Sequence, residues 1–427
     1  MSMEAHETGM SLLKTPEAQR LLEQTELSPS AVRTCERDLT QYLQRYLPWF
    51  YRKEQRTNAR IVIEGLLSGL ERKTCEPIAR QHGVQRKPVQ FFVGNGAWDD
   101  EAVMAELRGH VRQELGDPNA VLVVDASAFA KKGTESCGVK RQWCGRLGKV
   151  ENCQVGMFLC YAAPGGHAPL DRRLYLPEDW AADRERRKKT HVPATVRFQA
   201  KWRIALEMID RCRSEGMPHG WVAGDDEFGR CNGFRAKLRG RRERYVLDVP
   251  SNTLVRDLEA APPPGRRKVP FVQAREWAKR QPASAWRKLT LRPGTEGPLE
   301  VEALSCRVRA RDAKGRIGAR EQLLVVRRVV EGQMQIDYSL SNDRQATLGE
   351  LAGAHAQRHR VEQMFQEGKG EAGLGQYEVR SYIGWHHHMT LSLLALWFLR
   401  LETGRLGKKM SSAHGSAGAW DLQRLVA

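Results

Sequence analysis

Apolar residues in the first 115 positions recur at three- and four-residue steps, the period of a helix that is buried along one face. Segment 60–70 shows the pattern at five positions: Ile61, Ile63, Leu66, Leu67 and Leu70. Farther along, Gly83 separates two short stretches, and Arg86 and Lys87 begin the second. This arrangement fits a helix-turn-helix that presents basic side chains to DNA, and it fits an ordinary helical hairpin equally well.

From residue 119 the pattern changes to short apolar runs separated by glycine and proline, which predicts strands. The run AVLVV precedes Asp125, and we expect a buried strand with this acid at or near its end. Two more strands are predicted in QVGMFLCYAA and RRLYLP, followed by a helix over 196–214. The run GWVAG then leads to Asp225 and Asp226 in a loop, before another helix and the strand RYVLDV.

This order of strands and helices predicts an α/β fold. Ligands of α/β sheets bind where strands end, so Asp125 and Asp225 are candidates for one common site. Taken singly, an Asp after a strand is more often a cap or a turn residue.

Residues 251–345 have a different, strand-rich character after the basic, proline-rich connector EAAPPPGRRKVP. Alternation in the segment CRVRARD places Arg307, Arg309 and Arg311 on one face of a strand. That face is suited to following DNA phosphates, and it is equally typical of a solvated surface.

Near the carboxyl end, one predicted amphipathic helix carries an acid among bases. At about 100° per residue, four polar side chains fall within a sector of about 60°. They are His355, Arg358, Glu362 and Lys369. An adjoining apolar stripe consists of Val361, Met364 and Phe365. Charges on a helix usually form a solvated face, but here they accompany two acids at strand ends.

Composition restricts the partner and the compartment. The 427 residues include 69 Lys and Arg against 51 Asp and Glu, a net charge of +18 that favours a polyanionic partner. The sequence offers no run of about 20 apolar residues, and MSMEAHETGM lacks the apolar core of a secretory signal. Nine cysteines without framework spacing fit a reducing compartment. We therefore expect a soluble cytoplasmic protein with no membrane partner.

Three carboxylates from two strands and a helix are suitable ligands for one or two Mg²⁺ ions, and Mn²⁺ is expected to substitute. Two such ions about 4 Å apart activate water and stabilise the leaving oxygen when a phosphodiester is cleaved. Basic residues near Glu362 would hold the DNA phosphates. The candidates for DNA contact are His355, Arg358, Arg360 and Lys369 on this helix, with Arg86 and Lys87 near the amino terminus.

The chain resembles bacterial insertion-sequence transposases of the DDE type over roughly residues 45–400. The three acids of that family correspond to Asp125 in VVDAS, Asp225 in AGDDEFG and Glu362 in RHRVEQMF. Many members also carry Tyr, Arg, Glu and Lys with two, three and six intervening residues. These places hold His355, Arg358, Glu362 and Lys369, so a histidine replaces the tyrosine.

The resemblance implies an RNase H-like catalytic core with an inserted β-rich subdomain and an N-terminal helical domain. The expected units are an N-terminal helical, DNA-binding region (1–115), the first part of the core (116–250), the β-rich insertion (251–345), the C-terminal helices of the core (346–401) and a flexible tail (402–427). The implied enzyme is a Mg²⁺-dependent DNA transposase that cuts the terminal inverted repeats of its insertion sequence and transfers the 3′-OH ends to target DNA by a two-metal mechanism. It would act on double-stranded DNA as a dimer or larger assembly, in association with the bacterial nucleoid.

Two finer expectations follow from the same resemblance. The insertion of related enzymes helps to hold a flipped base, so Trp277 and Trp286 are candidates for stacking, although tryptophans in strand-rich domains are more often core. Asp225 is the expected metal ligand, with Asp226 in a supporting role. Two alternatives stay open: a transposase-derived DNA-binding protein that no longer cuts, and a stand-alone structure-specific nuclease on the same fold.

Overall fold

The computed structural model describes residues 29–291 and 299–410, and its amino-terminal part is helical, as the periodicity predicts. The helices there are α1 (Pro29–Tyr46), α2 (Lys53–Leu67), α3 (Cys75–Gln81), α4 (Arg86–Asn95) and α5 (Asp100–Leu115). Ile61, Ile63 and Leu66 of α2 are buried. The turn between α3 and α4 passes through Gly83 at φ +63°, a backbone conformation that favours glycine.

An antiparallel group of strands follows the helices. It consists of β1 (Val121–Ala130), β2 (Lys140–Cys144), β3 (Lys149–Ala163) and β4 (Gly166–Leu174). One side of β3 pairs with β1, and its other side pairs first with β2 and then with β4. Helices α6 (Glu178–Ala182), α7 (Arg184–Lys189) and α8 (Lys201–Ser214) come next. The long strand β3 is therefore the organising strand of this half of the sheet.

Two short strands run parallel to β1 on its other side. They are β5 (Trp221–Gly224) and β6 (Tyr245–Asp248), separated by α9 (Asp226–Gly229) and α10 (Asn232–Gly240). All four residues of β5 are buried, as expected for a parallel strand that is covered on both faces. In the register of β1 and β5, Val124 lies opposite Gly224.

The strand-rich region continues this sheet. Its elements are β7 (Leu254–Asp257), β8 (Val272–Gln273), α11 (Ala274–Lys279), β9 (Arg287–Thr290), β10 (Glu300–Arg311), β11 (Ile317–Val330) and β12 (Gln333–Ser341). Because β12 pairs with β6, the described sheet has the order β2-β3-β1-β5-β6-β12-β11-β10-β7-β8, with β4 beside β3 and β9 beside β10. The predicted alternation of β10 is confirmed, since its arginines are more exposed than the buried Cys306, Val308 and Ala310.

The carboxyl-terminal part consists of α12 (Leu348–Ala356), α13 (His359–Gly370) and α14 (Tyr382–Met410). The prediction of one helix through His355 and Lys369 is wrong, because the chain breaks between α12 and α13. At the break, the amide groups of Gln357 and Arg358 donate to carbonyl oxygens three residues earlier instead of four. Side chains three residues apart are eclipsed in such a turn, which aligns His355 with Arg358.

Helix α14 joins the amino-terminal helices to the sheet. It packs against α2, α4, α5 and β4, and one hydrophobic core contains residues from all of these elements. The helix extends to Met410, so residues 402–410 of the expected tail are helical. Within the ranges that the structure describes, no helix is long and apolar enough to cross a membrane.

Candidate active site

Asp125 and Asp225 lie side by side on adjacent parallel strands. Val124 and Gly224 are register partners, and each acid is the next residue in its chain. Neighbouring strands are about 4.8 Å apart, so the two carboxyl groups share one small volume. Strand β1 continues to Ala130, so the expectation that Asp125 ends its strand is wrong, whereas Asp225 directly follows β5.

The two aspartates are desolvated and repel each other. Burial raises the pKa of Asp125 to about 7, and the charge of Asp225 adds to the shift, against a hydrogen bond of 2.6 Å from the Ala126 amide. Burial also raises the pKa of Asp225 to about 6, with further contributions from Glu227 and Asp226. The pair therefore holds negative charge at a cost that a bound cation would relieve.

Glu362 reaches the same charged region from the first turn of α13. This helix packs on β1 and β3, where the ring of Phe365 meets that of Phe158 at 5.2 Å between centroids. Glu362 Oε2 is 3.3 Å from His359 Nδ1, and its Oε1 is 3.2 Å from Arg358 Nη2. The hydrogen bond with His359 and the charge of Arg358 lower the pKa of Glu362, so this side chain is ionised at neutral pH.

The three acids are close enough to interact electrostatically, since Asp225 and Glu362 both raise the pKa of Asp125. Even so, the described residues include no group of three or more acids, histidines or cysteines that is arranged to hold a metal ion. The side chain of Glu362 is engaged by two basic residues instead. The structure thus brings the predicted catalytic residues together without assembling a complete ligand cage.

Arg358 is the central cation of this region. Its Nε is 2.8 Å from Asp248 Oδ2, and its charge acts on Asp125, Asp225 and Glu362 as well. A guanidinium that faces four carboxylates takes, in part, the electrostatic place of a metal ion. Arg358 is therefore well positioned to respond when another cation or a phosphate arrives.

His355 holds the partner of Arg358 in place. Its Nδ1 is 3.1 Å from Asp248 Oδ1 and its Nε2 is 3.6 Å from Asp337 Oδ2, while the Ser339 hydroxyl donates to Asp248 at 2.7 Å. Burial acts to lower the pKa of His355, but the two carboxylates outweigh it and raise this pKa to about 9. A charged imidazole therefore fastens α12 to β6 and β12.

Sequence reasoning missed both carboxylates of this contact. Asp248 is the next-to-last residue of the predicted strand RYVLDV and the last residue of β6, so a signal like that at Asp225, an acid at the end of a short apolar strand, was also present there. Asp337 lies within β12, in an antiparallel hairpin with β11, and no local pattern marks it. Its role depends on the pairing of β12 with β6, which brings the insertion next to the site.

The other basic candidates on α13 have different surroundings. Lys369 lies with its Nζ 5.4 Å from the centroid of the Phe129 ring, beside β1. Arg360 donates to Gln363 at 3.0 Å and its charge lowers the pKa of Glu367, on another face of the helix from Glu362. Lys369 therefore lies beside the far end of β1, four residues beyond Asp125, and Arg360 faces Glu367 instead of Glu362.

The two amino-terminal candidates occupy the first turn of α4. Arg86 and Lys87 are both exposed, and Arg86 Nη1 is 3.0 Å from Glu76 Oε2 on α3. The structure does not group them with the carboxylates of the sheet. Any contact with DNA would be a separate part of the interface.

The two tryptophan candidates are poorly available for stacking. Trp277 is 7% exposed and donates to Asp257 at 2.8 Å, and its role in stacking on a base stays a prediction. Trp286 is half-buried, and the guanidinium of Arg327 lies 4.0 Å from its ring centroid. Tryptophans in this strand-rich region serve packing.

Two depressions beside the acids adjoin at Arg358 and Asp337. One is bordered by Asp225, Asp248 and Ile336, and the other by residues that include Glu362. The hairpin of β11 and β12 lines both, and its apolar tip residues Val329 and Met334 are exposed. Asp225 and Glu362 thus each border one of the two depressions. No sequence pattern singled out this hairpin tip.

Comparison with known proteins places this site in a family. Residues 45–298 match the model of a family described as DDE superfamily endonuclease, and this range is more than half of the chain. The chain belongs to the DDE superfamily endonucleases. The matched range includes Asp125 and Asp225 and ends before Glu362, so the candidacy of Glu362 as a third acid rests on its position in the fold.

A curated relative agrees with the family match. The probable transposase for insertion sequence element IS701 of Microchaete diplosiphon is 28% identical over 193 residues. The alignment covers 45% of this DDE endonuclease and 48% of the relative, so the chain spans about half the length of the curated relative that it matches.

Proposed function

We propose that this DDE endonuclease is a DNA transposase. It cleaves phosphodiester bonds at the terminal inverted repeats of its own insertion sequence and transfers the 3′-OH ends to target DNA. The observation that carries the proposal is the placement of Asp125 and Asp225 side by side, with Glu362 on a helix packed on β1 and β3. The name of the IS701 relative supports the same reaction class.

The proposed catalytic core is RNase H-like. Support comes from the antiparallel run of β1, β3 and β4 followed by β5 and β6, both parallel to β1. In this proposal residues 116–250 and 346–401 form the core, and residues 251–345 are an insertion that extends its sheet. The second hydrophobic cluster, around Trp277 and Tyr338, supports a subdomain with its own packing. Residues 1–115 would then be the helical DNA-binding part.

The donor set fits a hard divalent cation such as Mg²⁺. Oxygen ligands suit that ion, and the raised pKa values of Asp125 and Asp225 mark carboxylates that lack sufficient compensating charge. Those two residues would hold the metal, and Glu362 would complete the set once it leaves Arg358 and His359. When bound, the metal would supply activation of the attacking water and stabilisation of the leaving oxygen.

The protein's own residues orient the substrate in this proposal. Asp248 holds Arg358 at the edge of the site, and His355 holds Asp248. Arg358, released by Glu362, would then bind a phosphate oxygen of the DNA by a charge-assisted hydrogen bond. Lys369 would add positive charge beside β1. In this way, metal binding by Glu362 would be linked to phosphate binding by Arg358.

The proposed partners are the transposon ends and the target DNA, with the protein acting as a dimer or larger assembly when two ends are paired. The net charge of +18 supports a strong, salt-dependent attraction to DNA. Joining of two ends to one target requires two active sites in one complex, which is the reason for assembly on DNA.

The proposal is tested by incubating the purified protein with DNA that flanks its own gene, with Mg²⁺ or with EDTA. Strand breaks and joined products are mapped for the wild type and for Asp125→Ala. Metal-dependent breaks at inverted repeats and joined 3′ ends, both absent in the variant, are expected. Breaks without joined products would indicate a nuclease, and binding without breaks under Mg²⁺ or Mn²⁺ would indicate a DNA-binding protein that does not cut.

A further inference from the structure

The hairpin formed by β2 and β3 carries an exposed apolar patch around Trp143. The proposed function gives this patch no role. Trp143 is 63% exposed, Val150 is 50% exposed and Leu147 is 45% exposed. Trp143 and Val150 are direct partners across the two strands. An apolar cluster of this kind on a water-exposed hairpin indicates a contact surface.

The hairpin is anchored firmly on its opposite face. Cys144, Cys153 and Val155 form a small buried cluster there. At the base, the Asn152 side chain donates to the backbone oxygens of Lys131 and Gly133 at 2.7 and 2.9 Å. The exposure of Trp143 is therefore a property of a fixed, ordered strand pair.

The exposed face of the hairpin is the face that carries the catalytic aspartate. Side chains alternate along β3, so Val150 and Phe158 lie on the same face of that strand. Phe158 is the register partner of Asp125 in β1, and Trp143 is the partner of Val150 in β2. The eight residue steps from Val150 to Phe158 span about 26 Å at about 3.3 Å per step. Trp143 thus lies well beyond the reacting bond, along the same side of the sheet.

The charges around Trp143 favour a polyanion. Arg141 is exposed on the same face, two residues before Trp143. Lys140 and Lys149 lie on the other face of the two strands, at 3.0 Å from Asp179 and at 3.3 Å from Glu151. One exposed guanidinium beside an aromatic ring, in a chain of net charge +18, matches the phosphate and sugar surface of DNA.

We propose that the β2–β3 hairpin is a second DNA-binding element, which contacts the duplex about eight base pairs from the cleaved bond. The number of base pairs is the distance of about 26 Å divided by the rise of about 3.4 Å per base pair of DNA. Trp143 packs against the deoxyribose sugars of the backbone, and Arg141 binds a phosphate. The inference depends on the proposed function for the identity of the polyanion, and it adds a site outside the three acids.

The test measures binding of the full chain to a fluorescein-labelled 30-base-pair duplex of mixed sequence, by anisotropy at several salt concentrations. Trp143→Ala should weaken the affinity about tenfold and leave the salt dependence unchanged, because it removes apolar contact with the sugars and no charge. Arg141→Ala should lower the slope of log K against log salt by about 0.9. Trp143→Phe should restore most of the affinity. The matched control is Ile317→Ala, which removes an exposed apolar side chain of β11.

Three outcomes would overturn the inference. Affinity of Trp143→Ala within twofold of the wild type would remove the hairpin from the DNA interface. If Trp143→Ala binds DNA like the wild type but no longer self-associates in sedimentation velocity without DNA, the patch is a contact between copies of the chain. Failure of the wild type itself to bind the duplex would contradict the proposed function together with this inference.

Discussion

Replacement of His355 by glutamine tests the contact that fixes Arg358. In the wild type, a charged imidazole lies between Asp248 and Asp337 with only 10% of its side chain exposed. His355→Gln keeps a polar side chain of similar size but removes the positive charge. In this variant Asp248 and Asp337 no longer share a positively charged partner.

The pKa of His355 gives the size and the pH range of the effect. This pKa is about 9 in the folded protein against 6.5 in the unfolded chain. The folded-state value is the higher one, so the stabilisation is complete below about pH 6.5 and is lost as the pH rises through about 9. A shift of about 2.5 units corresponds to about 3 kcal/mol of free energy of unfolding.

The assay compares urea unfolding of the wild type and His355→Gln at pH 6, 7.5 and 10. The difference in free energy of unfolding between the wild type and His355→Gln should be largest at pH 6. It should be smaller by about 3 kcal/mol at pH 10. Groups that titrate in both proteins cancel in this difference. His82→Gln, at the end of α3 and away from Asp248 and Asp337, is the control and should change the free energy of unfolding less than His355→Gln does at pH 6. A difference for His355→Gln that stays constant with pH would refute the assigned charge.

Three further changes test neighbouring parts of the account. Gly229→Ala places a Cβ 1.7 Å from the Asp248 carbonyl oxygen, so it should destabilise the protein by about 3 kcal/mol in thermal unfolding and reduce DNA cleavage. Gly240→Ala meets no neighbour within 4 Å and is its control; equal behaviour of the two variants would contradict the packing argument. Arg358→Ala should lower the salt slope of DNA binding by about 0.9 in anisotropy titrations, and an unchanged slope would exclude a phosphate contact. Glu321→Gln removes a buried acid bonded to two arginines and should cost about 3–5 kcal/mol in urea unfolding, whereas a loss below about 1 kcal/mol would show that the arginines find other partners.

Local patterns in the sequence were sufficient for many of the elements. The apolar run before Asp225 predicted a short strand, which is buried and parallel to β1 in the structure. The stripe of Val361, Met364 and Phe365 predicted the packed face of α13, where all three are buried. Such features depend on periodicity over a few residues, which is readable from sequence. The position of Asp125 within β1 was less accurate, because β3 pairs with the strand beyond the apolar run.

Features that depend on distant contacts were not readable in this way. The break between α12 and α13 puts His355 and Arg358 on Asp248, which lies about a hundred positions earlier in the chain. Trp277 belongs to a core made by strands of the insertion, so its side chain is not available on the surface. Trp143 is a large apolar residue, and yet it is exposed on the β2–β3 hairpin. The first two outcomes follow from strand pairing between segments that are far apart in sequence, whereas Trp143 lies in a local hairpin.

The most direct test of the central claim is a comparison of DNA binding and DNA cleavage by Glu362→Gln, because the family match ends before this residue. Gln366→Ala, at an exposed position of the same helix, is the control. If Glu362 completes the catalytic set, Glu362→Gln loses Mg²⁺-dependent cleavage of the element ends and binds them within a few-fold of the wild type. Cleavage at the wild-type rate, or equal loss of binding and cleavage, would contradict the assignment of Glu362 with Asp125 and Asp225.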